Sequence, residues 1–508
     1  MNFLESFSKY HKIIILSSIC LASLSFIDKS LAVGVLFIVF LSSVALFFIN
    51  MQSIFPSLVR DRKTNSSVPL SLENKIKEKE TIKFLSVLFS IVFLIHIIMV
   101  VFVYYTNFQP FSNGRGDFKE YSFVAQEVSK RVSAGNFSLE GLPLVHYYPV
   151  IVGYIYILTI PSMLIGQLLN AWIVALIAIF VYLIIREMGR STKEGFIVGL
   201  IVGFYPSLAF YGSLLLKDAL VVLLSMIGLL LTLKIIKKFS WVNFLIFYIV
   251  LIGVTHLRFY ISYALILNFI ICWFILSDLK IKKRVIYVII MILLFGFLPR
   301  ISPLDGATQG YMGIGSIRYY LNTQTITGYR DLASNSYFYK RQPQIEPQPQ
   351  IEPQPQIEPQ IAKEILLPLD GKNLGQNSSM VETDFEKSVS FLKNTSLSFV
   401  YSILGPFPWQ LTQKKHLFVL PEIILWYFLL FFIMKGIVKL IKKDYKVILP
   451  LIIFSFIIFV VLSFFMNNFG IITRIRMPAF LALLCLLPFG FEKLKNIKIP
   501  FLERYLSS

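Results

Sequence analysis

The sequence predicts an all-α polytopic membrane protein of about twelve transmembrane helices plus one interfacial helix. Three observations predict it. Of the 508 residues 56% are hydrophobic and 15% charged, with a mean hydropathy of +0.72, more apolar than the core of a soluble domain requires. Uninterrupted apolar runs long enough to cross roughly 30 Å of hydrocarbon as helix recur along the chain, whereas a closed barrel would show short alternating segments. The net charge of +20 sits mainly in short Lys/Arg clusters between those runs, which is topology information rather than a groove for nucleic acid.

Thirteen runs qualify by length and hydrophobicity: 12–27, 31–50, 84–105, 147–165, 168–186, 196–213, 219–236, 241–255, 259–277, 285–298, 418–438, 447–465 and 477–491. The first lacks a small-residue cleavage site and is followed at once by another span, so it reads as a retained helix. Cys20, Cys272 and Cys485 lie inside apolar runs without metal-ligand spacing and read as small apolar residues.

Charge sets the orientation. Arg60, Arg62, Lys63, Lys75, Lys77, Lys79 and Lys83 place segment 55–83 in the cytoplasm, so span 84–105 emerges outside. Further cytoplasmic clusters are Arg186 to Lys193, Lys234 to Lys238, Lys280 to Arg284, Lys435 to Lys446 and the lysines after Phe491. Between outer loop 106–146 and cytoplasmic loop 187–195 the chain must cross an odd number of times, yet two runs intervene. The run 147–165 is broken by Pro149, Gly153 and Pro161 and rich in tyrosine, so it is the one expected to lie in the interface. Twelve crossings then put both termini in the cytoplasm, with a bacterial plasma membrane as the expected location.

Four regions follow: 1–83, two spans and the basic loop; 84–298, a transmembrane core containing outer loop 106–146 and the interfacial helix; 299–416, a large outer loop; and 417–508, three spans. In the outer loop, Pro343 to Gln360 is three copies of Pro-Gln-Ile-Glu-Pro-Gln, expected to be an extended spacer.

Ionisable residues at the outward helix mouths are the candidates for chemistry, because a charge in apolar surroundings is costly unless paired or used. Asp117 follows Gly114-Arg115-Gly116 and reads either as the N-cap of an amphipathic helix or as a general base on an acceptor hydroxyl. Lys217-Asp218 fills a nearly loop-free turn between two spans, where Asp218 complements a helix macrodipole or serves the site. Arg258, Arg474 and Arg476 are on the outer side against the positive-inside trend. Each suits either an anionic headgroup or a substrate phosphate, which the guanidinium fork binds bidentately. His146, with Glu140 the nearest carboxylate, is a weak metal signal and reads as a belt anchor, and His96 reads as an interhelical hydrogen bond. Gly405-Pro406-Phe407-Pro408-Trp409-Gln410 reads as a rigid aromatic turn.

Asp117, Tyr121 and Ala125 fit the pattern Asp-x-x-x-Tyr-x-x-x-Ala, followed by the Tyr147-Tyr148-Pro149 helix, a basic turn at Arg186 to Lys193, Pro206 and the Asp218 turn. This succession, over about residues 84–240 plus the arginines near 467–478, resembles the GT-C superfamily of polyprenol-dependent glycosyltransferases, including protein O-mannosyltransferases and lipid A aminoarabinose transferases. The resemblance implies Asp117 as catalytic base and Asp218 as a second active-site acid. Lys217, Arg258, Arg474 and Arg476 would hold the donor phosphate, and Tyr121, His146 and Tyr148 would position the acceptor. The chain departs from many relatives at Gly116-Asp117, where they carry two adjacent acids, and at Val145-His146-Tyr147, where they carry a Glu-Lys-Pro-type entry; no metal ligand is assigned, although a divalent metal is compatible with the class.

The expected function is inverting transfer of a sugar from a polyprenyl-phosphate donor to a glycan, lipid or protein acceptor at the outer face, with membrane lipids as partners and no nucleic acid. An alternative is an O-antigen polymerase or ligase using a pyrophosphate-linked oligosaccharide, in which Arg318 and Arg330 of the long loop would matter more than Asp117. A flippase or transporter would show repeated spans and charges within helices, and neither is evident.

Overall fold

The computed structural model describes residues 23, 25, 28–54, 72–109, 116–142, 146–296, 299–301, 308–311, 388–411, 414–465 and 469–497. They are overwhelmingly helical, as an apolar solvent demands, since a helix satisfies its backbone groups internally. In chain order the helices are α1 (Lys29–Ile54), α2 (Leu72–Thr106), α3 (Asp117–Ser133), α4 (Tyr148–Leu158), α5 (Met163–Glu187), α6 (Thr192–Gly203), α7 (Pro206–Gly212), α8 (Asp218–Lys237), α9 (Trp241–Leu276) and α10 (Ile281–Gly296). After a two-stranded antiparallel ribbon, Pro299–Ile301 with Thr308–Tyr311, come α11 (Ser388–Leu404), α12 (Leu420–Lys443), α13 (Leu449–Phe465), α14 (Phe469–Ile475), α15 (Met477–Leu484) and α16 (Leu487–Gly490). The ribbon is a small exception to the all-α expectation. The first apolar run apart from residues 23 and 25, together with Cys20, Arg318, Arg330 and the repeat 343–360, lies outside the described residues.

Helix α5 is the hub. It packs against α1, α2, α6 and α8, and its buried Ala171, Ala175 and Ala178 let those neighbours approach closely. Polar side chains fasten the bundle at two depths: His96 Nε2 donates to the Gly203 carbonyl at 2.9 Å, the expected interhelical bond, and Trp172 Nε1 donates to the Leu41 carbonyl at 2.9 Å. Helices α6 and α7 meet at a 59° bend, where Pro206 cannot supply the amide that would continue α6. Between α12 and α16 the backbones touch: a methyl group placed on Gly490 would lie inside contact distance of the Phe432 carbonyl.

Helix α9 folds back on itself at Arg258, whose φ of −153° and ψ of 86° break the helix. Thr255 Oγ1 bonds Ser262 Oγ at 3.0 Å, the Phe247 and Phe269 rings are 5.0 Å apart, and Phe239 contacts both Trp241 and Trp273. In a straight helix residues 247 and 269 would be about 33 Å apart at ~1.5 Å per residue. The expected turn at 256–258 is therefore a loop-free hairpin, with Arg258 at its tip.

Among the described residues six helices are long and apolar enough to span, or seven if the α6–α7 pair counts as one, and α9 enters that count as a single element although it doubles back. The expected number of about twelve is thus not reached by this criterion. Three runs give helices shorter than the roughly 20 residues of a straight span: α10 has 16 residues, α13 has 17, and run 477–491 is divided into α15 and α16 by Pro488. The run 147–165 yields the 11-residue α4, roughly 16 Å long and too short to cross. Its partner is the amphipathic α3, held so closely that a methyl at Gly153 would lie 2.7 Å from Val128.

The clusters at 186–193, 234–238, 435–446 and after Phe491 gather on one face. Lys237 bonds Glu187 at 2.8 Å, Lys439 pairs with Glu492, and Arg190 donates to the Pro488 carbonyl at 2.9 Å. Asp218 is at the far end of α8 from Lys237, so the site lies on the opposite face.

Candidate functional site

The site is assembled from four distant parts of the chain. Asp218 is the first residue of α8 and is buried. Asn170 of α5 holds the stretch before it by donating to the carbonyls of Leu214 at 2.7 Å and Leu216 at 2.8 Å, and Asn170 in turn accepts the Tyr148 hydroxyl at 2.8 Å. The helix start thus cannot slide, and the carboxylate has a fixed position.

Two arginines converge on it. Arg258, from the tip of the α9 hairpin, donates Nη2 to Asp218 Oδ1 and Nη1 to the Tyr260 hydroxyl. Arg474, from α14, donates Nε and Nη2 to Asp218 Oδ2 at 3.1 and 2.8 Å. The same Nη2 reaches Asp117 Oδ2 at 3.1 Å. Arg474 therefore bridges two carboxylates of unlike exposure: the Asp218 side chain is 8% exposed and that of Asp117 49%. Its guanidinium also stands 5.9 Å from the centre of the Tyr211 ring, and Tyr211 shares a hydrogen bond of 3.3 Å with Thr473.

Asp117 opens α3, and Gly116, with φ of 156°, stands at the cap. The capping alternative for Asp117 is corrected: it is the first helical residue, and its carboxylate turns to Arg474. One turn on, Tyr121 shares a hydrogen bond of 2.7 Å with His146 Nε2, their rings meeting edge to face. Burial, reinforced by the charges of Lys217 and Arg258, drives the His146 imidazole far below its ordinary range, so this pair is neutral. Burial likewise pushes the Tyr121 phenol up. Glu120, partly buried beside Asp117, is raised by burial first and by the Asp117 charge second.

Lys217 flanks Asp218 and makes no ion pair within 4.0 Å among the described residues. Burial and then the Arg258 charge lower its ammonium to about 7, against the opposing pull of Asp218. Lys217, Arg258 and Arg474 face Asp117 and Asp218, so with the lysine protonated the cluster holds one positive charge more than it compensates. An anion fits such a place.

Three assignments change. Tyr148 is fully buried with its hydroxyl on Asn170, so it braces the Asp218 turn and does not reach an acceptor. His146 is buried and bonded to Tyr121, which is no place for a belt anchor. Arg476 is not brought to the carboxylates; it donates to the Gly405 and Ser402 carbonyls and lies over the Phe480 ring. The helical backbone sends side chains at 474 and 476 about 200° apart, which is why one arginine reaches the site and the other does not. Asp218, with both oxygens on arginines, is an organising counter-ion rather than a proton carrier.

Asn170, Tyr260 and Glu422 were not singled out from the sequence. Asn170 and Glu422 did carry a signal, a polar or acidic residue within an apolar run, which marks a specific partner. Among the described residues no group of three or more His, Cys, Asp or Glu side chains is arranged to hold a metal ion. Cys272 and Cys485 are buried free thiols. No family model matches the chain, and a search of curated proteins finds no relative.

Proposed function

We propose that the chain is a membrane-embedded glycosyltransferase of the GT-C type, moving a sugar from a polyprenyl-phosphate donor to an acceptor on the outer face of a bacterial plasma membrane. The observation that carries the reading is the bridge made by Arg474 between a half-exposed carboxylate, Asp117, and a buried one, Asp218, with Arg258 and Lys217 alongside. Inverting transfer needs this set. Asp117 takes the proton of the acceptor hydroxyl; the freed oxygen attacks the anomeric carbon from the face opposite the phosphate; the bond from that carbon to the phosphate oxygen breaks, and its electron pair leaves with the polyprenyl phosphate.

Charge also supports a phosphodiester. The donor carries one negative charge, which matches the single surplus positive charge at the site, and its arrival would hold the proton on Lys217. Arg258 and Arg474 supply guanidinium forks whose geometry suits phosphate oxygens, and Asp218 keeps both aimed without reorganisation. The short α4, lying against α3 beneath Asp117, fits an interfacial helix that shapes the entrance.

The test is to delete the gene and measure by mass spectrometry which lipid-linked sugar accumulates, complementing with wild type and with Asp117→Asn. Accumulated polyprenyl-phosphate monosaccharide, relieved by wild type and not by Asp117→Asn at equal protein level, supports the proposal. Accumulated pyrophosphate-linked oligosaccharide, relieved by both, overturns it in favour of a polymerase or ligase.

A further inference from the structure

A second network encloses the site and is centred on Arg476. Residues 473–476 send three side chains to three places: Thr473 to Tyr211 of α7, Arg474 to the carboxylates, and Arg476 to the end of α11. Arg476 is only 2% exposed, and its guanidinium lies 4.2 Å from the centre of the Phe480 ring. The end of a helix leaves its last carbonyls without amide partners, which is costly in apolar surroundings. Here side chains supply the partners. Arg476 serves the Ser402 and Gly405 carbonyls, Trp426 Nε1 donates to Ile403 at 2.9 Å, and the Tyr427 hydroxyl donates to Leu404 at 2.8 Å. One turn before Trp426, the buried Glu422 accepts the Ser207 hydroxyl of α7. Helices α7, α11, α12 and α14 are thereby joined, and the segment 473–476 runs from this network to the carboxylates.

Arg476 is the junction between α14 and α15 and keeps a helical backbone, with φ of −71° and ψ of −12°; its amide donates to Ile472 and the Phe480 amide to Arg476, both at 2.9 Å. Arg474 therefore cannot rotate or advance independently of Arg476. We propose that Arg476 is a positioning residue for the phosphate site, setting Arg474 by its grip on the α11 carbonyls, so that a displacement of α11 is felt at Asp117 and Asp218. This rests on the reading of Arg474 as a phosphate ligand.

The test measures binding of farnesyl phosphate to the full chain in lipid nanodiscs by calorimetry, with thermal stability followed in parallel. Arg476→Gln is expected to weaken binding about tenfold, and Arg476→Lys, which retains the charge without the fork, by less. Arg474→Lys combined with Arg476→Gln is expected to bind no worse than Arg474→Lys alone, because the second arginine acts only through the first. Additive losses, or a folded Arg476 variant with wild-type affinity, overturn the positioning role. Should Arg476→Gln fail to fold, Arg476→Lys decides: weaker binding at unchanged stability supports the role, and unchanged binding overturns it. Wild-type protein that binds no farnesyl phosphate overturns the phosphate site itself, and the positioning role with it.

Discussion

Arg474 and Asp218, 256 positions apart in the chain, meet through two hydrogen bonds to one carboxylate oxygen, Nε at 3.1 Å and Nη2 at 2.8 Å. Arg258 takes the other oxygen, so Asp218 is buried with two cations. Asp218→Asn would leave two buried arginines facing a neutral amide. Removing one partner of a buried pair costs about 3–5 kcal/mol, and that loss is the expected fall in stability. It is measurable as a lower thermal midpoint in nanodiscs. Wild-type stability in Asp218→Asn would refute the counter-ion role.

Asp117 is expected to behave in the opposite way. Its carboxylate is half-exposed and holds a single bond to Arg474, and exposed pairs contribute roughly 0–1 kcal/mol. Asp117→Asn should therefore keep wild-type stability while lowering transfer by about 10²–10⁴-fold, the range for loss of a general base. Radiolabelled sugar moved from a polyprenyl-phosphate donor, measured at matched protein level, checks both halves. Asp117→Glu, which retains the carboxylate on a longer arm, is expected to fall between.

Lys217 gives the site a pH dependence. Its folded-state value is depressed from 10.5 to about 7, so the unfolded chain binds the extra proton between those limits and stability should rise with pH across that window. Anion affinity should run the other way, falling as pH climbs through about 7 and the ammonium is lost. Arg258 and Arg474 remain charged throughout, and His146 is held neutral by burial, so neither produces the slope. Binding of methyl farnesyl phosphate, a phosphodiester whose single negative charge does not change across this range, should show the slope in wild type and lose it in Lys217→Met. A slope that persists in the variant would assign the titration elsewhere.

Much of this arrangement was legible in the sequence, and the parts that were not have physical reasons. Asp117, Lys217, Asp218, Arg258 and Arg474 were visible because each is an ionisable residue at a helix mouth, and the alternation of apolar runs with basic clusters put all five on one side. Sequence could not show that Arg476 turns away from Arg474, since that depends on whether the backbone between them is helical. Nor could it show that Asn170 and Tyr148 brace the Asp218 turn, since their partners are carbonyls and an amide rather than charges. The number of spans was the least readable feature. Apolar run length did not show that α13 stops at 17 residues or that run 477–491 is broken before Pro488, whereas the short α4 and the reversal at Arg258 were legible from charge and from the polar turn.

The path of the chain around α4 yields the sharpest topological expectation. If α5 crosses and α4 does not, the loop before α4 and the turn after α5 lie on opposite sides of the membrane. Phe137, 68% exposed between α3 and α4, and Arg186, exposed at the end of α5, mark the two sides. In a background with Cys20 replaced, Phe137→Cys should react with an impermeant maleimide added to intact cells, and Arg186→Cys only after the membrane is opened. Cys272 and Cys485 are buried and should stay silent. Labelling of both positions in intact cells would mean that α4 completes a crossing with its neighbours. Asp117 and the Lys237–Glu187 pair could then no longer be assigned to opposite faces by charge alone, and the donor would have to be sought on the side to which the label assigns Asp117.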